Sequence, residues 1–152
     1  KKEAFINELV KVFELEKILA RKAQEVSKGE LQRAILAFSL LYGSRILIMD
    51  EPIFALEDHQ KKAALEYLSA YVKERSMSFY YSLHELDLSK KYSDYIILFY
   101  KDGRIKMGPT DELFVKKEIE EAFQVPFSML KRKESIFRES LMVSRRQIPG
   151  VG

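Results

Sequence analysis

Two carboxylates stand side by side at Asp50 and Glu51, directly after the apolar run Ile46 to Met49 and directly before Pro52. Four apolar residues are too few for a helix. Without polar alternation they read as a strand buried on both faces, as inside a parallel sheet. Proline ends the ladder because it has no N–H to give. Ligands of open α/β sheets bind just beyond the carboxyl ends of strands. An acidic pair at that point suits Mg²⁺ held through water and the orientation of an attacking water. A strand that ends in solvated acids is the alternative reading of the same residues. A second candidate is Ser27-Lys28-Gly29-Glu30, where Ser27 and Glu30 have capping-box spacing ahead of an apolar helix. The amide groups of such a helix start are suited to a phosphate. A third is His84, which follows the short apolar stretch Ser78 to Leu83. His59 has no comparable setting and reads as a solvated residue near a helix start.

The elements that must position these residues follow from periodicity and punctuation. Phe5, Leu9, Val12 and Phe13 lie at helical spacing, which predicts a helix over 3–13 and a shorter helical piece over 15–20. The helix after Ser27 is strongly apolar, which predicts that it is mostly buried, and Gly43 gives it a C-terminal stop. A strand over 45–50, a helix over 58–75 with Ala64, Leu68, Tyr71 and Val72 inward, and a strand over 78–83 come next. Phe79-Tyr80-Tyr81 reads as sheet core rather than a base-stacking platform. A helix over 85–91 and a strand over 95–100 precede Lys101-Asp102-Gly103, a turn into a hairpin strand over 104–107. Thr110 is the expected cap of a short helix, another helix covers 116–123, and Phe127 to Leu130 reads as a possible strand. Helix and strand alternate, so the fold class is α/β: a mostly parallel sheet with flanking helices and an antiparallel edge from the hairpin.

Composition narrows the class without naming a reaction. The chain has 152 residues, enough for one domain with a real core, and 32% charged residues, ordinary for a globular protein. No apolar run reaches the roughly 18 to 20 residues of a membrane span. There is no cysteine, which fits a reducing setting. The net charge of +3 is concentrated at the end: Lys131, Arg132, Lys133, Arg138, Arg145 and Arg146 outweigh Glu134 and Glu139. A nucleic-acid-binding domain would carry its basic surplus on the folded body, so no nucleic-acid partner is expected. The first residue is Lys1, already close to a helix, which leads us to expect further sequence upstream.

Taken together, the candidates resemble a known family. Val26 to Glu30 with its following helix resembles the ABC ATPase signature, with Ser27, Gly29, Gln32 and Arg33 in matching positions. Ile46 to Glu51 resembles the Walker B strand with its adjacent glutamate, Ala55-Leu56-Glu57 the D-loop, and Ser82-Leu83-His84-Glu85-Leu86 the H-loop. The four motifs occur in the family's order. The resemblance implies a P-loop NTPase-like, N-terminally truncated fold, with 1–26 a remnant of the helical subdomain, 27–130 the distal part of the ATPase core and 131–152 a basic tail. It also implies an ATP-binding subunit of an ABC transporter that hydrolyses MgATP in a head-to-tail dimer. The implied partners are a second ATPase subunit and transmembrane permease subunits, which would hold it at the cytoplasmic face of the membrane. By resemblance, Asp50 holds Mg²⁺ through water, Glu51 is the catalytic glutamate and His84 contacts the γ-phosphate. Ser27, Lys28, Gly29 and Glu30 face the nucleotide of the partner subunit, Ser27 through its hydroxyl and Gly29 through its N–H.

The departures are specific. Lys28 replaces the first signature glycine and Glu30 the usual glutamine, while Phe54 and Glu57 replace the D-loop serine and aspartate. No G-x-x-x-x-G-K-[ST] occurs in the chain, so the cradle for the β-phosphate is not among these residues. The family's base-stacking aromatic and Q-loop glutamine are not among them either. The chain alone is therefore expected to bind ATP weakly and to be inactive. Other readings are a soluble ABC ATPase acting on ribosomes or DNA, and a degenerate interaction module without catalysis.

Overall fold

The computed structural model describes residues 2–146, with side chains described through residue 136. The chain forms two compact units, Lys1–Leu83 and His84–Gly152.

The first unit begins with helix α1 (Lys2–Val12). The expected short helical piece after it is a series of turns, with Ile18 bonded back to Leu15 and Arg21 to Ile18, followed by one 3-10 turn at Ala23–Glu25. Helix α2 (Lys28–Tyr42) ends at Gly43, whose φ of 76° supplies the left-handed stop. Strand β1 (Ile46–Met49), helix α3 (Asp58–Glu74) and strand β2 (Ser78–Tyr81) complete the unit. Strands β1 and β2 pair in parallel, Ile46 opposite Ser78 and Met49 opposite Tyr81, with α3 as the crossover that parallel strands require.

The core of this unit lies among the three helices. Leu9, Phe13, Leu36, Leu40, Leu65 and Leu68 are fully buried, and Ile53 joins them from the turn after β1. Arg33 of α2 donates from Nη1 to the carbonyls of Phe13 and Glu14, at 2.8 and 3.0 Å, and so ties down the turn that follows α1. Two expectations of burial are corrected. Strand β1 is covered on one face only: Leu47 is buried, but Ile46 is 59% exposed and Ile48 79%. Its sheet has two strands, and alternation turns Ile46 and Ile48 to the uncovered side. Helix α2 buries Leu36, Ala37 and Leu40, while Leu31, Ile35, Phe38, Leu41 and Tyr42 are exposed.

The second unit contains α4 (Leu86–Tyr92), β3 (Tyr95–Phe99), β4 (Ile105–Pro109), α5 (Thr110–Leu113), α6 (Lys116–Phe123) and α7 (Phe127–Arg146). Strand β3 is not a further member of the parallel sheet. It pairs with β4 in an antiparallel hairpin, Tyr95 opposite Pro109 and Phe99 opposite Ile105, closed by Gly103 at φ 87°. The inner face buries Leu98 and Tyr100 against Phe114, Ile119 and Ala122. Tyr100 donates its hydroxyl to Glu118, which also receives Lys106 Nζ at 2.7 Å. Burial and this carboxylate raise the Tyr100 pKa, while Lys106 and Tyr100 lower that of Glu118.

Two more expectations change here. Thr110 does not cap α5: it is the helix's first residue, Pro109 precedes it, and its hydroxyl donates to the Ser93 carbonyl at 2.6 Å. Phe127 to Leu130 is not a strand but the first turn of α7. Leu130 N–H bonds back to the Pro126 carbonyl, and Phe127 N–H donates to Glu120 at 2.7 Å. Helix α7 continues through Lys131 to Arg146, and residues 147–152 of the expected tail lie outside the described residues. Among the described residues no helix is long and apolar enough to cross a membrane.

Candidate active site

The acidic pair sits where the ladder of the parallel sheet runs out. The N–H of Ser82 reaches the carbonyl of Met49 at 3.2 Å, one step past the last residue of β2. This brings the Ser82 side chain to the end of β1. Its hydroxyl donates to Oδ1 of Asp50, and its oxygen accepts the Glu51 N–H at 3.0 Å. One serine therefore orients the carboxylate of the first acid and the backbone of the second. Asp50 is exposed and Glu51 half-buried.

Glu51 has a φ of 46°, in the left-handed region. Three other described non-glycine residues share that sign, Glu14, Ser76 and Gln124, and each stands just after a helix, where such a conformation is routine. Glu51 follows a strand instead. For a non-glycine residue the left-handed region costs about 1–3 kcal/mol and persists only where its surroundings enforce it. Two side chains do so, Ser82 on the N–H and Gln32 on the carbonyl, the latter through Nε2 at 2.7 Å.

The capping box at α2 forms as expected. Ser27 Oγ accepts the Glu30 N–H at 3.2 Å, and the Glu30 carboxylate accepts the Ser27 N–H at 2.7 Å. Arg21 Nη1 lies 3.4 Å from the same carboxylate. These contacts, the Ser27 N–H foremost, hold the Glu30 carboxyl below its ordinary range. The negative charge introduced by Glu30 is thereby engaged by its own helix start. Lys28 is exposed at the first position of α2. A group with a depressed folded-state pKa contributes stability that is present above its unfolded value and lost as pH falls through the folded value. As pH drops below the ordinary 4.5, wild type should therefore lose stability faster than Glu30→Gln. Urea midpoints across that range check this; parallel losses in the two proteins would contradict it.

Gly29 meets the turn beyond the acidic pair. A Cβ at Gly29 would lie 2.7 Å from the Ala55 carbonyl oxygen, so the start of α2 and the turn after β1 touch backbone to backbone. Farther along, Glu57 precedes α3 and its N–H donates to Gln60 Oε1 at 3.2 Å, a helix-start role for this departure from the D-loop pattern. His84 is exposed and opens the second unit. His59 is largely exposed, 3.6 Å from both Glu14 and Glu57. The structure thus gathers Ser27, Gly29, Glu30, Asp50 and Glu51 in the first unit, around Gln32 and Ser82. Both of the latter lay within recognised motifs, but the contacts that give them a role join positions 19 and 31 residues apart.

A parallel β–α–β unit with paired carboxylates beyond its strand, and a capped helix start against the turn that follows them, defines an α/β protein of the class whose ligand sites lie beyond the carboxyl ends of strands. The comparisons with known proteins give this class a family. The chain is 32% identical over 106 residues to the phosphonates import ATP-binding protein PhnC of Maricaulis maris, covering 70% of this chain and 40% of that protein. It is 30% identical over 134 residues to the molybdenum import ATP-binding protein ModC of Bordetella pertussis, covering 88% of this chain and 36% of that one. An inward-facing structure of a putative metal-chelate type ABC transporter matches the fold with a TM-score of 0.69 at 18% identity, over 81% of this chain and 49% of that chain. No protein-family model matches. The chain belongs to the ABC-type ATP-binding proteins, and it spans less than half the length of the relatives it matches.

Proposed function

We propose that this chain is the signature-to-H-loop part of an ATP-hydrolysing subunit of an ABC transporter. The observation that carries the proposal is Glu51, held left-handed at the end of β1 between Ser82 and Gln32. A residue kept in a costly conformation beyond a sheet's carboxyl edge is a mark of a functional position.

MgATP is the substrate. The exposed Asp50 carboxylate offers hard oxygen donors at the end of β1, which fits a cation that keeps most of its shell as water and phosphate oxygens, as Mg²⁺ does. Asp50, oriented by Ser82, would hold it through water. Bound there, Mg²⁺ would offset charge on the phosphate oxygens. The Glu51 carboxylate orients the attacking water and accepts its proton, and His84 contacts the γ-phosphate. Ser27 and Gly29 present a hydroxyl and an N–H to the nucleotide of a second subunit, with Lys28 adding a cation nearby. Glu30 braces that loop through the capping box. This mechanism requires a P-loop, and none lies within these 152 residues.

The relatives named for import of phosphonates and molybdenum support a subunit that works with transmembrane permease subunits, peripherally at the cytoplasmic face of the membrane. The test is sedimentation of the full-length Glu51→Gln protein. With MgATP it should run as a dimer and with ADP as a monomer. A nucleotide-independent monomer would refute the dimer mechanism.

A further inference from the structure

Gln32 lies one helical turn beyond Gly29 and binds both ends of the turn that follows β1. Its Nε2 donates to the Glu51 carbonyl at 2.7 Å, and its Oε1 accepts the Ala55 N–H at 2.8 Å. A primary amide offers a strong donor and a strong acceptor on one planar group. Gln32 is half-buried, which strengthens both bonds relative to water. Beside it, Gly29 lets the helix start press directly on the Ala55 carbonyl. No side chain cushions that contact. The first turn of α2 and the backbone of Glu51 are thus joined directly through the Gln32 amide.

We infer that Gln32 is a positioning residue that latches the turn from Glu51 to Ala55 onto the first turn of α2. It makes the Ser27–Glu30 loop and the Glu51 backbone move as one body. Its amide is engaged by the Glu51 carbonyl and the Ala55 N–H. Its effect is to hold Glu51 left-handed, so that the carboxylate points correctly when the helix start engages its ligand. The consequence for turnover rests on the ATPase reading above, whereas the latch itself does not.

The experiment compares full-length wild type, Gln32→Met and Gln32→Glu. Methionine keeps the length and removes both bonds. Glutamate keeps an acceptor for the Ala55 N–H but places an oxygen against the Glu51 carbonyl. Hydrogen exchange of the peptide containing Ala55 should accelerate roughly fivefold to tenfold in Gln32→Met. It should stay near wild type in Gln32→Glu, and exchange in the buried part of α3 should be unchanged in both. Unaltered exchange at Ala55 in Gln32→Met would overturn the latch whatever the activity. In steady-state hydrolysis both variants should lose about 100-fold in kcat, the scale of a small misplacement of a reacting group. KM for ATP should stay within about twofold, since binding is retained when only a transition-state interaction is lost. Wild-type kcat in Gln32→Glu would overturn the link from Gln32 to Glu51. A wild-type protein without hydrolysis would instead remove the ATPase reading, with the exchange result still deciding the latch.

Discussion

Replacing Glu51 by glutamine in the full-length protein should lower ATP turnover by about 10²–10⁴-fold, the usual contribution of a positioned general base. At 1.36 kcal/mol per tenfold this raises the barrier by about 3–5 kcal/mol. Glutamine is the informative substitution because it preserves the shape of the side chain. The backbone bonds to Ser82 and Gln32 do not involve the carboxylate, so both should survive with the left-handed conformation intact. The loss then reports on proton acceptance and not on misfolding. ATP affinity should be retained or increased, because removal of the carboxylate relieves repulsion with the γ-phosphate. Phosphate-release kinetics alongside nucleotide titration separate the two effects. Turnover within tenfold of wild type would take Glu51 out of the base role.

The second large effect concerns Gly29. Judged by helix propensity alone, Gly29→Ala in the first turn of α2 should stabilise the protein by up to about 1 kcal/mol. The structure predicts the opposite sign. The new Cβ would stand 2.7 Å from the Ala55 carbonyl oxygen, and that neighbour is backbone, not the end of a flexible side chain. Relief requires the helix start and the turn after β1 to separate. Overpacking of this kind costs about 1–3 kcal/mol. Separation also stretches both Gln32 bonds, so turnover should fall with stability. Urea unfolding gives the sign directly. A stabilised Gly29→Ala variant would mean that the contact with Ala55 yields easily.

How much of this was legible in the sequence depends on how local each determinant is. The Ser27–Glu30 capping box, the Gly43 stop and the Gly103 turn are written in neighbouring residues, and the structure reproduces them. The position of Asp50 and Glu51 beyond a strand was equally readable, because four apolar residues followed by two acids and a proline admit few arrangements. The start of α7 was not. Phe127 to Leu130 is too short and apolar for periodicity to separate strand from helix. The deciding contacts come from Glu120 and Pro126. A strand that follows a helix reads as parallel, but the pairing of β3 depends on the Gly103 turn returning β4 alongside it. The exposure of Ile46 and Ile48 depends on what packs on the sheet, which a run of apolar letters does not encode.

The site divides in the same way. Residue types at motif spacing identified the candidates, whereas the left-handed Glu51 and its two supports are products of tertiary structure. Position 32 carries no mark in the sequence that joins it to positions 51 and 55. Nor does Ser82 announce that it will sit beside Asp50, since the contact exists only once β2 pairs in register with β1.

In the proposed mechanism the helix start at Ser27 and the acids at the end of β1 serve MgATP hydrolysis shared between two subunits. The most direct measurement is phosphate release from MgATP by the full-length protein over a range of protein concentrations. Specific activity should rise with concentration towards a plateau as dimers form, and Ser27→Arg should abolish it. Specific activity that is independent of concentration and unaffected by Ser27→Arg would contradict a site shared between subunits.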